Sequence, residues 1–235
     1  LLRHIGITVE FKDNLMTIDV PDELSWDAPA ELVRKMRASS LVLGPLIARC
    51  GKAVLPLPGG CVLGSRPIDF HLKGLAKMGA EIDLNKGSVY ATAGRLKGER
   101  ITLDYPSVGA TENLMMAAAL AHGVTYIENA ALEPEIINLA DVLRLMGIPV
   151  KGDGTQTIRI TGKPETGPAE AEIIPDRIEA ATYLMAGIIT KGSVTVRGID
   201  SGLIDAILLK LEEAGAKIDI MLDEVTASYQ GPLMG

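Results

Sequence analysis

The sequence predicts an α/β fold built from pseudo-symmetric units, each of which runs strand, helix, strand, helix, strand, strand. Three observations predict it: an aliphatic composition, a helix–glycine–strand motif that occurs four times, and a second apolar helix motif with the same period. The chain has 235 residues, of which 47% are hydrophobic and only 3% aromatic. This composition supplies an aliphatic core and argues against disorder.

The first repeated element is the end of a helix followed by a strand. Its copies, which share a leucine four residues before a glycine, are residues 2–9, 75–82, 143–150 and 211–218. The glycines are Gly6, Gly79, Gly147 and Gly215, separated by 73, 68 and 68 residues. Glycine ends helices because it adopts the left-handed conformation without a Cβ penalty. A short turn then leads to a second strand, predicted at residues 15–20, 88–93, 157–161 and 224–229.

The second repeated element is an apolar helix that closes at a glycine and runs into a strand. Its copies are residues 38–57, 110–130 and 178–197, with Gly51, Gly123 and Gly192 spaced 72 and 69 residues apart. The first element, which forms the later half of a unit, occurs four times, whereas the second, which forms the earlier half, occurs three times. We therefore expect the first unit to lack its beginning. The Gly- and Pro-rich stretch 162–175 favours a boundary between a first domain, 1–172, and one unit of a second domain, 173–235.

Composition also excludes several function classes. The net charge is 23 minus 30, or −7, which argues against a nucleic-acid partner. The longest apolar runs cover about two helical turns, short of the roughly 18 residues that a membrane span needs. Two cysteines and no signal peptide favour a cytoplasmic location. No spacing typical of zinc or of a nucleotide cofactor occurs, so we expect neither.

Residues 57–67 contain three glycines and two prolines, a composition that predicts an extended loop with Cys61 near its centre. A guanidinium five residues on, at Arg66, would lower the pKa of the thiol, so Cys61 is a candidate nucleophile or general acid. The alternative is that Cys61 is a small buried hydrophobic residue. We interpret Cys50, in an apolar helix end, as a packing residue.

The starts of the repeated helices are candidate anion sites. Unpaired backbone N–H groups and the helix dipole favour anions there, and Arg37 and Arg177 add full charges, while residues 107–109 supply backbone groups. The alternative is ordinary capping by Ser107 and Asp176. Taken with the cysteine loop, these starts predict an anionic, phosphorylated substrate. His71 would either orient that substrate or cap the helix that follows it.

Residues 58–71, PGGCVLGSRPIDFH, resemble the catalytic loop of the UDP-N-acetylglucosamine 1-carboxyvinyltransferase family of enolpyruvyl transferases. Residues 35–39, 107–111, 128–135 and 175–179 resemble the same family in the same order, so the resemblance covers essentially the whole chain. It implies an EPSP-synthase-like inside-out α/β barrel, here truncated, with helices inside and sheets facing solvent. The shikimate-pathway relative shares this fold without the cysteine motif.

The resemblance implies transfer of the enolpyruvyl group of phosphoenolpyruvate to the 3′-hydroxyl of UDP-N-acetylglucosamine, which commits the sugar to peptidoglycan synthesis. Cys61 would be the proton donor and the site of a covalent phosphoenolpyruvate adduct, with no separate cofactor. Arginines would neutralise phosphate or carboxylate, and Phe70 stands where leucine is commoner in the family. The implied substrate-binding residues are Arg37, Arg66, Pro67, Ile68, Asp69, Phe70, His71, Ser107, Val108, Gly109 and Arg177.

Parts of the implied active site lie outside this sequence. The family's Lys-Asn pair would precede Leu1, and its catalytic Asp and a further substrate Arg would follow Gly235. We therefore expect this chain alone to have no turnover, because the cleft needs both domains. Two alternatives stay open: an enolpyruvyl transferase with a shikimate-type acceptor, and a non-catalytic repeat scaffold in which Cys61 is inert. The expected partners are small-molecule substrates, with neither nucleic acid nor membrane.

Overall fold

The computed structural model describes residues 1–57 and 68–234, and the chain divides into two units, Leu1–Ala171 and Glu172–Gly235. The α-helices among the described residues are α1 (Ala30–Lys35), α2 (Leu43–Cys50), α3 (Asp69–Lys77), α4 (Val108–Ala119), α5 (Pro134–Leu145), α6 (Arg177–Ile189) and α7 (Asp205–Glu213). Two 3₁₀ helices, Arg37–Val42 and Ser201–Leu203, accompany them.

Within residues 1–57 and 68–234, the strands form four separate sheets. They are β1 (Thr8–Lys12), β2 (Leu15–Asp19), β3 (Lys52–Pro56), β4 (Glu81–Asn85), β5 (Ser88–Thr92), β6 (Arg100–Thr102), β7 (Val124–Glu128), β8 (Val150–Lys151), β9 (Thr157–Thr161), β10 (Ser193–Arg197), β11 (Lys217–Ile220) and β12 (Glu224–Ser228). Their orders are β1-β2, β3-β5-β4, β6-β7-β9-β8 and β10-β12-β11. The alternation of helices and strands confirms the predicted α/β class.

The four predicted glycine turns into strands are present. Gly6, Gly79, Gly147 and Gly215 have φ of +98°, +98°, +89° and +97°, a region that favours glycine. Strands β1, β4, β8 and β11 follow these glycines, and each pairs antiparallel with the next strand along the chain. The first copy differs in one respect, since residues 2–6 form turns instead of the end of a helix.

The second set of glycines was predicted less accurately. Gly51 and Gly123 are left-handed, with φ of +70° and +99°, but after α6 the left-handed residue is Lys191, with φ of +59°. Gly192 donates its N–H to the carbonyl of Gly187, and Lys191 donates to that of Ile188. This pair of hydrogen bonds is a Schellman motif, which places the left-handed residue one position before the glycine.

The middle repeat contains all six elements of the predicted unit. It runs β6, α4, β7, α5, β8, β9, and β6 pairs parallel with β7. In the repeat before it, the strand equivalent to β6 is reduced to a single parallel bridge between Asp27 and Val54. Connections between parallel strands of one sheet are right-handed, because only that hand lets the crossover helix pack back onto the sheet, as α4 does here.

Helix α4 lies at the centre of the first unit. Eight of its residues are buried, and it packs against α2, α3, α5 and the 3₁₀ helix Arg37–Val42. Two glycines allow this close approach: Gly44 on α2 lies against Asn113, and a Cβ at Gly74 on α3 would lie 2.5 Å from Leu114 Cδ2. A crowded central helix favours small and aliphatic side chains over rings, which fits the low aromatic content.

The second unit has its own core, which α6, α7 and the sheet β10-β12-β11 enclose. The largest side chains in it include Leu184, Ile188 and Leu208. Across residues 1–57 and 68–234, no helix combines the length and the hydropathy required to span a bilayer.

Candidate functional site

Three elements of the first unit meet where α4 begins. Arg37 opens the 3₁₀ helix, His71 lies in the first turn of α3, and Gly109 is the second residue of α4. The ring of His71, only 5% exposed, lies against Gly109: a Cβ on that glycine would be 3.5 Å from Cε1 and 3.6 Å from Nε2. The charge of Arg37 is close enough to influence the pKa of His71. The structure therefore brings these three predicted residues together.

Asn113, one turn further along α4, ties the same elements to each other. Its Oδ1 accepts the backbone N–H of Gly44 at 2.6 Å, and its Nδ2 contacts the carbonyl of Ser40 at 2.8 Å and Nδ1 of His71 at 2.8 Å. The Asn113 side chain is fully buried. Since the N-cap of α2, Val42, makes no side-chain cap bond, Asn113 supplies the missing acceptor at the start of that helix.

His71 is neutral at physiological pH. Burial, followed by the positive charge of Arg37, lowers its pKa to about 4, and the carboxylate of Asp69 opposes them only in part. Both main causes disfavour the imidazolium. Among the described residues that meet here, Arg37 thus brings a permanent positive charge to a neutral imidazole.

This pKa makes the stability of the protein depend on pH. The folded pKa is about 4 and the unfolded value is 6.5, so the unfolded chain takes up the proton first as the pH falls. Stability is therefore lost between about pH 6.5 and pH 4, by about 2 kcal/mol at pH 5 relative to pH 7. Urea unfolding at pH 7 and pH 5 measures this loss. In His71→Gln, the drop in the free energy of unfolding from pH 7 to pH 5 should be smaller by about 2 kcal/mol. An equal loss in the two proteins would contradict the assignment.

The first turn of α4 presents free backbone donors. Ser107 is its N-cap and accepts the N–H of Ala110 at 3.4 Å, so the capping interpretation of Ser107 is confirmed. Within the described part of the chain, the N–H groups of Val108 and Gly109 have no hydrogen-bond acceptor. Such groups at a helix N-terminus favour an anion. The arrangement can therefore bind a phosphate or diphosphate beside Arg37.

Phe70 lies on a different face of α3 from His71. Its ring meets the ring of Tyr105 edge-to-face, with centroids 4.6 Å apart, and the ammonium of Lys73 lies 5.5 Å from its centroid. Phe70 and Lys73 line a cleft of about 200 Å³ that Thr102 and Asp104 border on the other side. Lys73 also bridges Asp69 at 3.7 Å and Asp104 at 3.1 Å. These contacts join Phe70 and Asp69 to the segment that follows β6.

The remaining predicted residues are distributed differently. The side chain of Ile68 is 7% exposed and belongs to the core, so only its backbone could meet a ligand. Cys61, Arg66 and Pro67 lie outside the described residues. Arg177 is the first residue of α6 in the second unit, where Asp176 caps the helix by accepting two N–H groups at 2.8 Å and 3.0 Å.

Sequence reasoning missed Asn113 and Tyr105. Asn113 has one recognisable signal, because it is a polar side chain directly before the apolar run of residues 114–121, where burial would require a hydrogen-bond partner. Tyr105 has no such signal.

In the described residues, no group of three or more His, Cys, Asp or Glu side chains is placed to hold a metal ion.

Comparison with known proteins gives matches over nearly the whole chain. The profile of the family "EPSP synthase (3-phosphoshikimate 1-carboxyvinyltransferase)" matches residues 1–234. UDP-N-acetylglucosamine 1-carboxyvinyltransferase 2 of Carboxydothermus hydrogenoformans is 50% identical over 93% of this chain and 52% of its own length. UDP-N-acetylglucosamine 1-carboxyvinyltransferase of Geotalea uraniireducens is 52% identical with the same coverage, 93% and 52%. The chain thus spans about half the length of these relatives.

Solved structures show the same fold. The enolpyruvyl transferase NikO from Streptomyces tendae superposes with a TM-score of 0.82 at 28% identity, over 97% of this chain and 56% of its own. An EPSP synthase from Acinetobacter baumannii gives a TM-score of 0.66 at 23% identity, over 96% and 54%. At 23% identity, the similarity to the Acinetobacter baumannii enzyme shows the fold alone. Together they confirm the predicted EPSP-synthase-like architecture.

Proposed function

This chain belongs to the EPSP synthase family, and we propose that it carries the acceptor-binding part of an enolpyruvyl transferase that acts on UDP-N-acetylglucosamine. The complete enzyme transfers the enolpyruvyl group of phosphoenolpyruvate to the 3′-hydroxyl of the sugar and releases phosphate, the step that commits the sugar to peptidoglycan. The observation that carries the proposal is the free start of α4, with Arg37 and neutral His71 beside it. The two relatives at 50% and 52% identity support this acceptor.

The site suits the diphosphate of a nucleotide sugar. Its negative oxygens can accept the N–H groups of Val108 and Gly109, and the dipole of α4 favours their charge. Arg37 can add a two-pronged hydrogen bond to one phosphate. Neutral His71 can add a further donor without a second full charge.

Cys61, in the cysteine loop, takes part in both chemical steps. Cys61 gives its proton to C3 of phosphoenolpyruvate while the 3′-oxygen of the sugar bonds to C2 and passes its own proton to the catalytic Asp that the family resemblance places outside this sequence. The Cys61 thiolate then takes back a proton from C3 of the tetrahedral adduct while phosphate leaves from C2, which restores the double bond in the product. Alternatively, the S–H group of Cys61 can add across the double bond of phosphoenolpyruvate, with the sulfur on C2 and the proton on C3, which gives the covalent adduct.

This chain alone supplies only one side of the cleft, so we propose that it binds the sugar nucleotide but does not turn it over. Other segments of the complete enzyme supply the rest of the phosphoenolpyruvate site. The reaction belongs in the cytoplasm, where phosphoenolpyruvate is formed.

The acceptor is tested by phosphate release from the full-length protein with phosphoenolpyruvate and either UDP-N-acetylglucosamine or shikimate 3-phosphate. We expect release with the first acceptor only. Release with shikimate 3-phosphate would assign the protein to the other branch of the family. No release with either acceptor would favour the non-catalytic scaffold.

The two cysteines should differ in reactivity. Burial raises the pKa of the Cys50 thiol, and the nearby charges of Arg49 and Lys52 oppose this only in part. We expect iodoacetamide to label Cys61 about tenfold faster than Cys50, because a neighbouring arginine favours the thiolate. Peptide mass spectrometry of the full-length protein measures both rates, and fosfomycin with UDP-N-acetylglucosamine should modify Cys61. Equally slow labelling of both cysteines would contradict a catalytic role for Cys61.

A further inference from the structure

The amide of Asn113 has only one possible orientation. One of its terminal atoms faces the N–H of Gly44, which can only donate, so this atom must be the oxygen. The other faces the carbonyl of Ser40, which can only accept, so it must be the nitrogen. Two backbone groups on two different elements therefore settle which end of the amide is which, without reference to His71.

This orientation decides where His71 carries its proton. The amide nitrogen has two hydrogens, and one of them goes to the carbonyl of Ser40. The other points at Nδ1 of His71 from 2.8 Å, so Nδ1 must accept it and cannot itself be protonated. A neutral ring then holds its only N–H at Nε2. That atom lies on the side of the ring that faces Gly109.

We propose that Asn113 is a positioning residue that holds His71 as the neutral Nε2–H tautomer, so that His71 donates a hydrogen bond to a phosphate oxygen of the substrate at the start of α4. This inference rests on the proposed function for the identity of the ligand, a nucleoside diphosphate sugar. It assigns His71 the role of a neutral donor and excludes the role of a general base through Nε2. The same amide bonds to the carbonyl of Ser40, three residues after Arg37, so it also links the backbone of the 3₁₀ helix to the ring of His71.

The tautomer can be measured without any ligand. In the full-length protein labelled with ¹⁵N-histidine, long-range proton–nitrogen spectra at pH 7 should show a bare Nδ1 and a protonated Nε2 for His71, assigned by the signal lost in His71→Gln. Asn113→Asp keeps the acceptor for Gly44 but removes the donor to Nδ1, so we expect Nδ1 to become protonated. A merely structural role for Asn113 would leave the spectrum of His71 unchanged. A protonated Nδ1 in the unaltered protein would overturn the proposal even if Asn113→Asp does not fold.

The donor role is tested by calorimetric binding of UDP-N-acetylglucosamine to the full-length protein. Glutamine can place an N–H near the position of Nε2, so His71→Gln should bind within about threefold of the unaltered protein, whereas His71→Leu should bind about tenfold more weakly. Equal affinity of His71→Leu and the unaltered protein would overturn the donor role alone. If the unaltered protein does not bind the nucleotide sugar, the proposed function fails, and the donor role fails with it. The tautomer measured in the free protein is independent of that result.

Discussion

Replacing Arg37 with Gln is expected to weaken binding of UDP-N-acetylglucosamine by about 10- to 100-fold. Arg37 is exposed at the start of the 3₁₀ helix and, among the described residues, forms no ion pair with a carboxylate. Its guanidinium is therefore available for an anion beside His71 and the free N–H groups of α4. Hydrogen bonds between charged groups contribute about 1.5–3 kcal/mol, which corresponds to this loss of affinity.

Arg34 provides the matched control for this prediction. It is another exposed arginine, three residues earlier in α1, and Arg34→Gln changes the net charge by the same amount. Arg37→Lys should lie between the unaltered protein and Arg37→Gln, because lysine keeps the charge but not the two-pronged geometry. Calorimetric titration of the full-length variants measures the affinities. Equal affinities of Arg34→Gln and Arg37→Gln would show that Arg37 does not contact the ligand.

The second large effect is expected on stability. In Gly44→Ala, the new Cβ would overlap both Oδ1 and the backbone carbonyl oxygen of Asn113, and would lie 3.3 Å from Cβ of Ala117. These atoms belong to a buried helix contact and cannot move away as a flexible side chain could. Overpacking and loss of the bond from the Gly44 N–H to Asn113 should together cost about 3–5 kcal/mol.

Gly94→Ala is the control for this substitution. Gly94 is exposed, and a Cβ there would have no atom within 4 Å. Urea unfolding should show an unfolding midpoint close to that of the unaltered protein for Gly94→Ala and a much lower midpoint for Gly44→Ala. Similar midpoints for the two variants would show that α2 and α4 are not packed through Gly44 as described.

The repeated parts of the fold could be predicted from sequence because their causes are local. A glycine with positive φ and an alternating strand pattern are both determined within a few residues, and Gly79 and Gly147 lie where the period places them. One difference between prediction and structure has a non-local cause. The single bridge from Asp27 to Val54 stands where the predicted unit begins with a strand, and it depends on how two distant segments pair.

The candidate site shows the same division. Arg37, His71 and the start of α4 were identified by charge, by residue type and by resemblance, and the structure brings them together. The partners of Asn113 could not be found in this way, because Gly44 and Ser40 lie 69 and 73 residues from it along the chain. Only the packing of α2, α3 and the 3₁₀ helix around α4 makes them neighbours.

The central claim is that the start of α4 binds the diphosphate of UDP-N-acetylglucosamine. A crystal structure of the full-length protein with this nucleotide sugar tests it most directly. The diphosphate should lie within hydrogen-bond distance of the N–H groups of Val108 and Gly109, with Arg37 on one phosphate and Nε2 of His71 beside it. A bound nucleotide sugar whose phosphates contact neither Arg37 nor the first turn of α4 would contradict the claim.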